Sequence, residues 1–176
     1  MNHPITSYNN LALVFQNLGE FDKALGFNLK GQDLAKSIHG EIHPETANSH
    51  HSLASMFQRL RKFDEALEFS LKARDIRRSV YGEMQPQMAV SYMNISFTYY
   101  SLKANKKAVE YNLKALDITK SIFGEIHPQT AFSYQNLAAM YQGLGDPLKA
   151  HEFRMNALDV SKSIRAQIPV SIQKKG

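Results

Sequence analysis

The chain lacks cysteine and tryptophan, and none of its apolar runs is long. Without cysteine, disulfide bonds and thiolate chemistry are excluded. Without an apolar run of about 20 residues, we expect no membrane-spanning helix and no membrane partner. The first ten residues, MNHPITSYNN, contain neither a basic start nor an apolar stretch. We therefore expect no signal peptide and a cytoplasmic location.

The sequence also lacks the motifs of common catalytic sites. It contains no glycine-rich phosphate loop, no HExxH and no GxSxG, so the usual phosphate, zinc and nucleophile sites are missing. The seven histidines raise the question of a metal site. However, His43 and His127 are equivalent positions of a repeat, and His50 and His51 point to different sides of one helix. We expect no enzyme activity, no metal and no cofactor.

The net charge of +5 arises from 21 basic and 16 acidic side chains that are mixed along the chain. The four 42-residue blocks defined below each have a net charge between −1 and +2. The densest basic cluster, RDIRRS from Arg74 to Ser79, includes Asp75. Because nucleic-acid binding needs basic residues concentrated on one face, we expect no nucleic-acid partner.

What the sequence does contain is an internal repeat. SIHGEIHPETANSHHSLASMFQRLR starts at Ser37, SVYGEMQPQMAVSYMNISFTYYSLK at Ser79 and SIFGEIHPQTAFSYQNLAAMYQGLG at Ser121, so that successive copies start 42 residues apart. A sustained period of this length predicts an array of stacked structural units. The register divides the chain into the blocks 1–42, 43–84, 85–126 and 127–168.

Each block is predicted to form two helices joined by a tight turn. In the second block, apolar residues recur at the three-and-four spacing of an amphipathic helix, first from Ala47 to Leu60 and again from Phe63 to Val80. Glycine stands where the second helix of a block ends, and proline stands where the next helix begins. These residues are Gly40, Gly82 and Gly124, and Pro44, Pro86 and Pro128.

Two further series recur at the period of 42. Small residues are predicted at close approaches between helices, where larger side chains would overpack. Aromatic residues are predicted to fill the core rather than to hold a cofactor. The small series is Ala12, Ala54, Ser96 and Ala138, and the aromatic series is Phe15, Phe57, Tyr99 and Tyr141.

The strings NNLALVFQNLGEFDKAL and YQNLAAMYQGLGDPLKA resemble tetratricopeptide repeats. The 42-residue unit, with its linking FGEIHPQTA, is similar to the longer repeats of kinesin light chains. The resemblance implies one all-α domain over residues 1–168, a right-handed superhelical solenoid of four helix-turn-helix repeats, followed by a tail over 169–176. Arg61 and Lys103 depart from the pattern, because they replace the glycine seen at Gly19 and Gly145.

The resemblance further implies that the first helix of each block lines a concave groove that binds an extended segment of a partner protein. A ladder of polar side chains, Asn10, Ser52, Asn94 and Asn136, recurs along these helices, and amides can bond a peptide backbone whatever its sequence. The alternative is that these amides bond only neighbouring helices or water. The candidate groove residues are Asn9, Asn10, His51, Ser52, Arg59, Met93, Asn94, Phe97, Gln135 and Asn136.

Two other features bear on the partner. Val90 and Phe97 either expose apolar surface in the groove or pack against neighbouring helices. The lysines with which co-chaperone repeats grip a terminal carboxylate are absent, so we expect no binding of chaperone tails. The corresponding positions are Thr6, Asn48, Val90 and Phe132.

The second hypothesis is a structural role as a scaffold. Because each repeat buries its apolar side only against a neighbour, uncapped terminal repeats favour end-to-end self-association into a homo-oligomer. We expect the last helix to present apolar residues for this purpose, namely Phe153, Leu158, Val160 and Ile164.

Overall fold

The computed structural model describes residues 4–167, and the predicted tail at 169–176 lies outside them. Residues 4–167 form eight α-helices and no β-strand, which confirms the all-α fold of paired helices. The helices are α1 (Pro4–Asn17), α2 (Phe21–His39), α3 (Pro44–Arg59), α4 (Phe63–Tyr81), α5 (Pro86–Ser101), α6 (Asn105–Phe123), α7 (Pro128–Gly143) and α8 (Pro147–Gln167).

The chain divides into two compact units, Met1–Glu83 and Met84–Gly176. In the first unit, α1 packs on α2, α2 on α3 and α3 on α4, and in the second unit α5 to α8 pack in the same order. The division falls within one residue of the predicted boundary between the second and third blocks. Each unit therefore contains two of the repeats, and the assignment of 1–168 to a single domain stays a prediction.

Side chains next to the prolines cap several helices at their N-termini. His43 Nδ1 accepts a hydrogen bond from the backbone N–H of Glu45 at 3.2 Å, and His127 does the same at the start of α7. At α8, Asp146 Oδ1 accepts from the backbone N–H of Lys149 at 3.0 Å. These bonds satisfy N–H groups that the helix itself leaves without partners. The repeated histidines are thus explained by helix capping.

Glycine ends the second helix of three pairs, as predicted, and each of these glycines combines a positive φ with an extended ψ. Gly40 has φ +83° and ψ 179°, a region that is essentially limited to glycine. Its N–H donates to the carbonyl of Lys36, and its own carbonyl accepts from Thr46 Oγ1 at 2.7 Å. Gly82 and Gly124 have nearly the same dihedral angles.

The aromatic series lies between the two helices of each pair, as predicted for core residues. Each aromatic residue of a first helix stacks on an aromatic residue of the following helix. Such stacked pairs add to the stabilisation from burial of their surface. The centroid distances are 5.3 Å for Phe15–Phe27, 5.4 Å for Phe57–Phe69, 5.5 Å for Tyr99–Tyr111 and 5.3 Å for Tyr141–Phe153.

The small series marks close helix contacts, also as predicted. Ala54 and Ala138 are buried, and Ser96 is fully buried in α5. The Ser96 hydroxyl donates to the carbonyl of Ala108 in α6 at 2.7 Å. A larger side chain at this position would separate the two helices.

The prediction that α8 presents four apolar side chains was wrong for three of them. Phe153 stacks on Tyr141, Val160 is buried, and Ile164 packs against the core of the second unit. Of the four, Leu158 is exposed. The sequence could not separate these residues, because the face of α8 that packs on α7 and a face exposed for self-association would both be apolar.

Candidate functional site

A pocket of about 310 Å³ lies between the first helices of the first unit. Residues of α1 and α3 form its walls, and α2 contributes one polar residue. We call this pocket the α1/α3 groove. Its lining residues are Asn9, Asn10, Ala12, Leu13, Gln16, Asn28, His51, Ser52 and Ser55.

Four of the five residues predicted for this unit come together in the α1/α3 groove. Asn9 and Asn10 of α1 face His51 and Ser52 of α3 across it. Arg59 is exposed as the last residue of α3 and is not among the lining residues. The geometry of a groove is therefore present in this unit, and the role of these residues in binding stays a prediction.

Asn28 is a groove residue that the sequence reasoning missed. It belongs to α2, where only first helices were considered, and it is 6% exposed although it lines the pocket. Its signal in the sequence is a register that is polar in every block, because Ser70, Asn112 and Arg154 follow Asn28 at the period of 42. The second helices therefore contribute side chains to the bottom of the groove.

Gly31 allows α1 and α2 to approach next to Asn9. A Cβ atom at position 31 would lie 3.2 Å from Asn9 Oδ1 and 3.5 Å from Tyr8 Cβ. The equivalent residues of the other blocks are alanines, Ala73, Ala115 and Ala157. The missing methyl group thus helps to set the position of the Asn9 amide in the groove.

The surroundings of the histidine in the groove favour its neutral form. Burial lowers the pKa of His51 below its usual value, and the positive charge of Arg77 lowers it further. Arg77 comes from α4, is 7% exposed and donates from Nη2 to Asn48 Oδ1 at 3.2 Å. A neutral imidazole contains one hydrogen-bond donor and one acceptor.

His50, the neighbour of His51, points away from the groove into the core. It is 2% exposed, and its Nδ1 accepts from Gln32 Nε2 at 3.2 Å. Burial lowers its pKa to about 4, with Lys36 and Lys72 adding to the effect. The two histidines therefore do not form a chelating pair, as their sequence spacing predicted.

In the second unit, α5 and α7 present the surface that corresponds to the α1/α3 groove; we call it the α5/α7 face. Its apolar residues are exposed: Val90 at 41%, Phe97 at 54% and Phe132 at 50%. This answers the question left open by the sequence, because Val90 and Phe97 do not pack into the core. Met93 is half-buried beside them.

The polar residues of the α5/α7 face lie at the predicted register. Asn94 and Asn136 are half-buried, and Gln135 is exposed. Asn112 of α6 is fully buried, and neither its Nδ2 nor its Oδ1 has a hydrogen-bond partner. Its counterpart in the first unit is Asn28, which lines the α1/α3 groove, so Asn112 occupies the corresponding position beneath this face.

Among residues 4–167, no three histidine, aspartate or glutamate side chains form a cluster suited to a metal ion. Over the same residues, no helix has the length and apolar character needed to cross a lipid bilayer.

Comparison with known proteins identifies one family. The tetratricopeptide repeat family matches this chain over residues 4–79, 46–121 and 87–163. The overlapping matches cover both units. No curated protein sequence matches the chain.

Solved structures share the fold. BtubC (BKLC) from P. vanneervenii is 26% identical, with a TM-score of 0.85 over 94% of this chain and 66% of its own. The nearly identical TPR-like repeats assigned to a kinesin light chain of Podosopora anserina are 22% identical, with a TM-score of 0.81 over 97% of this chain and 80% of theirs. The apo form of RapI is 17% identical, with a TM-score of 0.78 over 93% of this chain and 57% of its own.

Proposed function

Because this chain belongs to the tetratricopeptide repeat family, a fold of protein-interaction modules, we propose that its first helices bind an extended peptide segment of a partner protein. The observation on which this rests is the α1/α3 groove, where four of the predicted residues surround one pocket. The surface acts by binding alone and performs no chemistry on the partner.

The amides of the groove suit recognition of a peptide backbone. Each asparagine side chain offers two donors and an acceptor oxygen, which match the carbonyl and N–H groups of an extended chain. Asn9, Asn10 and Asn28 surround the α1/α3 groove, and Asn94 and Asn136 occupy the α5/α7 face. Backbone contacts of this kind give affinity without requiring one peptide sequence, and neighbouring side chains then select among sequences.

The test is binding of a library of extended peptides to the full chain. We expect a class of peptides to bind, and we expect the double variant Asn94→Ala/Asn136→Ala to bind them at least about tenfold more weakly, a loss of about 1.4 kcal/mol. A single variant, Asn10→Ala, tests the α1/α3 groove in the same assay.

The matched control is Asn156→Ala. Asn156 lies on α8 at the register of three exposed lysines on the other second helices, Lys30, Lys72 and Lys114. It has the same side chain but lies outside the first helices. If no peptide binds, or if the double variant binds as well as this control, the amides are structural and the proposal is wrong.

A scaffold formed by self-association is the second candidate, and one observation favours it. On α1, Leu11 is 41% exposed and Val14 is 52% exposed, whereas their counterparts on α3, Leu53 and Met56, are fully buried. Leu53 belongs to an apolar cluster that includes Leu25 of the preceding pair. A second copy that placed its α8 on α1 would cover Leu11 and Val14 in the same way.

Molar mass as a function of protein concentration tests this scaffold. The scaffold predicts that the mass rises with concentration, and that Leu11→Lys/Val14→Lys keeps the protein monomeric. The control is Ile42→Lys, in a loop where Ile42 is 67% exposed. A parent protein that stays monomeric at the highest concentration contradicts self-association.

A further inference from the structure

The charged side chains are distributed unequally between the first and second helices. Of the 21 basic and 16 acidic residues of the chain, only Glu45 and Arg59 lie in α1, α3, α5 or α7. Both belong to α3, so that α5 and α7 contain no charged residue at all. A partner on the α5/α7 face therefore meets no countercharge from either helix.

The same face exposes large apolar side chains. Phe97 and Phe132 are each at least half exposed, and Val90 is 41% exposed. Burying exposed apolar area stabilises a complex by about 25 cal/mol per Å² before the costs of association are subtracted. Aromatic residues at the centre of an interface often contribute most of its binding energy. This surface is therefore suited to apolar side chains of a partner.

A buried amide beneath the face lacks partners. Neither Asn112 Nδ2 nor Asn112 Oδ1 has a hydrogen-bond partner in a side chain that is 0% exposed. Leaving a buried donor or acceptor unsatisfied costs about 1–3 kcal/mol. In the first unit, the equivalent Asn28 borders the pocket. Because Asn112 is closed to solvent, a peptide group between α5 and α7 would reach its amide only if the side chains that cover it moved aside.

We propose that the α5/α7 face recognises an uncharged peptide segment with aromatic or aliphatic side chains, and that its affinity does not depend on ionic attraction. The segment places apolar side chains on Phe97 and Phe132, and its backbone bonds to Asn94 and Asn136. A carboxylate or ammonium group in the segment would lose hydration on this face without gaining an opposite charge, which is unfavourable. This inference rests on the proposed function, because it specifies which peptides the groove binds.

Arg154 of α8 stands at the register of Asn28 and Asn112 and contacts α7. Its Nη2 donates to Gln142 Oε1 at 3.2 Å, in the second last residue of α7. Because this contact lies at the edge of the face, the proposal predicts that Arg154→Gln leaves peptide affinity unchanged within about twofold. A loss of binding in Arg154→Gln would show that the segment is recognised by charge.

The experiment compares three sets of peptides of equal length on the full chain, one uncharged and apolar, one acidic and one basic. We expect the uncharged set to bind best, with affinities that change by less than about twofold between low and high salt, because salt screens only interactions between charges. We expect Phe97→Ser/Phe132→Ser to lower the affinity at least about tenfold. Leu148→Ser is the control, because Leu148 is 83% exposed but lies on α8.

The outcomes separate this inference from the proposed function. If no set binds, the proposed function is wrong, and the inference falls with it. If acidic or basic peptides bind best and their affinity falls steeply with salt, the protein is a peptide receptor but the inference is overturned. If uncharged peptides bind equally well to Phe97→Ser/Phe132→Ser, the peptide lies elsewhere and the inference is also overturned.

Two other occupants of the face are tested with the same proteins. If the parent dimerises and Phe97→Ser/Phe132→Ser does not, a second copy of the chain covers the face and the inference is wrong. The segment from 168 to 172, IPVSI, is itself uncharged. If Val170→Ser/Ile172→Ser in the full chain raises peptide affinity about tenfold or more, the chain's own end is the occupant instead.

Discussion

At the scale of single residues, two positions hold side chains where the repeat favours glycine. Arg61 has φ +59° and Lys103 has φ +61°, whereas the matching Gly19 and Gly145 have φ +77° and +75°. A left-handed conformation costs a residue with a Cβ atom about 1–2 kcal/mol relative to the right-handed one. The turns in the second and third helix pairs are thus formed in spite of local strain.

We therefore predict that Arg61→Gly and Lys103→Gly each stabilise the protein by about 0.5–1 kcal/mol, since glycine relieves the strain but loses more conformational entropy on folding. The measurement is urea unfolding monitored by circular dichroism. The reverse change, Gly19→Ala, should destabilise the protein. Lower stability of either glycine variant would mean that contacts of the replaced side chain outweigh the strain.

A second residue-scale feature is a histidine where the other repeats have tyrosine. His50 stands at the register of Tyr134, whose hydroxyl donates to Glu125 at 2.6 Å and lies 3.4 Å from Lys120 Nζ. The corresponding pair next to His50 is Lys36 and Glu41, whose side chains form an ion pair at 2.8 Å. Tyrosine at position 50 would thus meet the same two groups that bind Tyr134. Position 50 is therefore expected to accommodate a tyrosine as well as the histidine.

The lowered pKa of His50 predicts that acid destabilises the protein. The native pKa is about 4 and the unfolded value is near 6.5. Between pH 6.5 and pH 4 the unfolded chain binds a proton at His50 that the native state does not bind. The free energy of unfolding therefore decreases as the pH is lowered, by up to about 3 kcal/mol at pH 4. We expect His50→Tyr to reduce this loss, measured as the free energy of unfolding at several pH values. His151→Tyr, on the surface of α8, is the control, and equal pH profiles for both variants would contradict the assignment to His50.

At the scale of elements, the first and third helix pairs are closed by the same set of interactions at the junction with the next pair. After α2, Gly40 has its unusual dihedral angles, the Thr46 hydroxyl bonds to the Gly40 carbonyl and Lys36 pairs with Glu41, and neither contact joins residues more than six positions apart. The Lys120–Glu125 pair and the Thr130–Gly124 bond repeat the arrangement in the second unit. These interactions are local in sequence, and they help to fix the direction in which the next helix begins.

Two glycine variants of α2 and its end should therefore have opposite effects. We predict that Gly40→Ala destabilises the protein by about 1–3 kcal/mol, because a residue with a Cβ atom is strained at φ +83°. Gly26→Ala should stabilise it by about 0.5–1 kcal/mol, because position 26 is helical and has open space for a methyl group. Thermal unfolding of both variants against the parent provides the measurement. A stabilising Gly40→Ala would show that the junction can adopt another conformation.

At the scale of the whole molecule, stability is distributed along the chain rather than held in one core. Within each unit, the principal contacts join helices that are neighbours in sequence. In such arrays each repeat depends on its own packing and on its interface with the next repeat. In the first pair, α1 leaves Leu11 and Val14 exposed, and α2 contains Gly26 and Gly31. The first pair is consequently the weaker pair of its unit.

We predict that backbone amides of α1 and α2 exchange with solvent at least about tenfold faster than those of α3 and α4, because local opening there disrupts fewer buried contacts. Native-state hydrogen exchange with mass spectrometry measures the difference. Gly26→Ala should slow exchange in α2 and leave α4 unchanged. Equal protection of both pairs would show that the unit opens only as a whole.

The sequence by itself determined the period, the helix pairs, the proline and glycine positions at the helix ends and the aromatic series between the paired helices. These features depend on residue spacing and on proline and glycine within a few positions. Such local effects can be predicted without knowledge of distant contacts. It also identified Asn9, Asn10, His51 and Ser52 as neighbours, because equivalent positions on adjacent first helices must share a face.

Only the tertiary structure decided which side chains are open to solvent. In the tertiary structure, Asn28 of a second helix lines the α1/α3 groove and Arg59 does not. Val90 and Phe97 are exposed. Phe153 packs inwards and stacks on Tyr141. The reason is that exposure and pKa depend on atoms contributed by other helices, which the pattern within one helix does not contain.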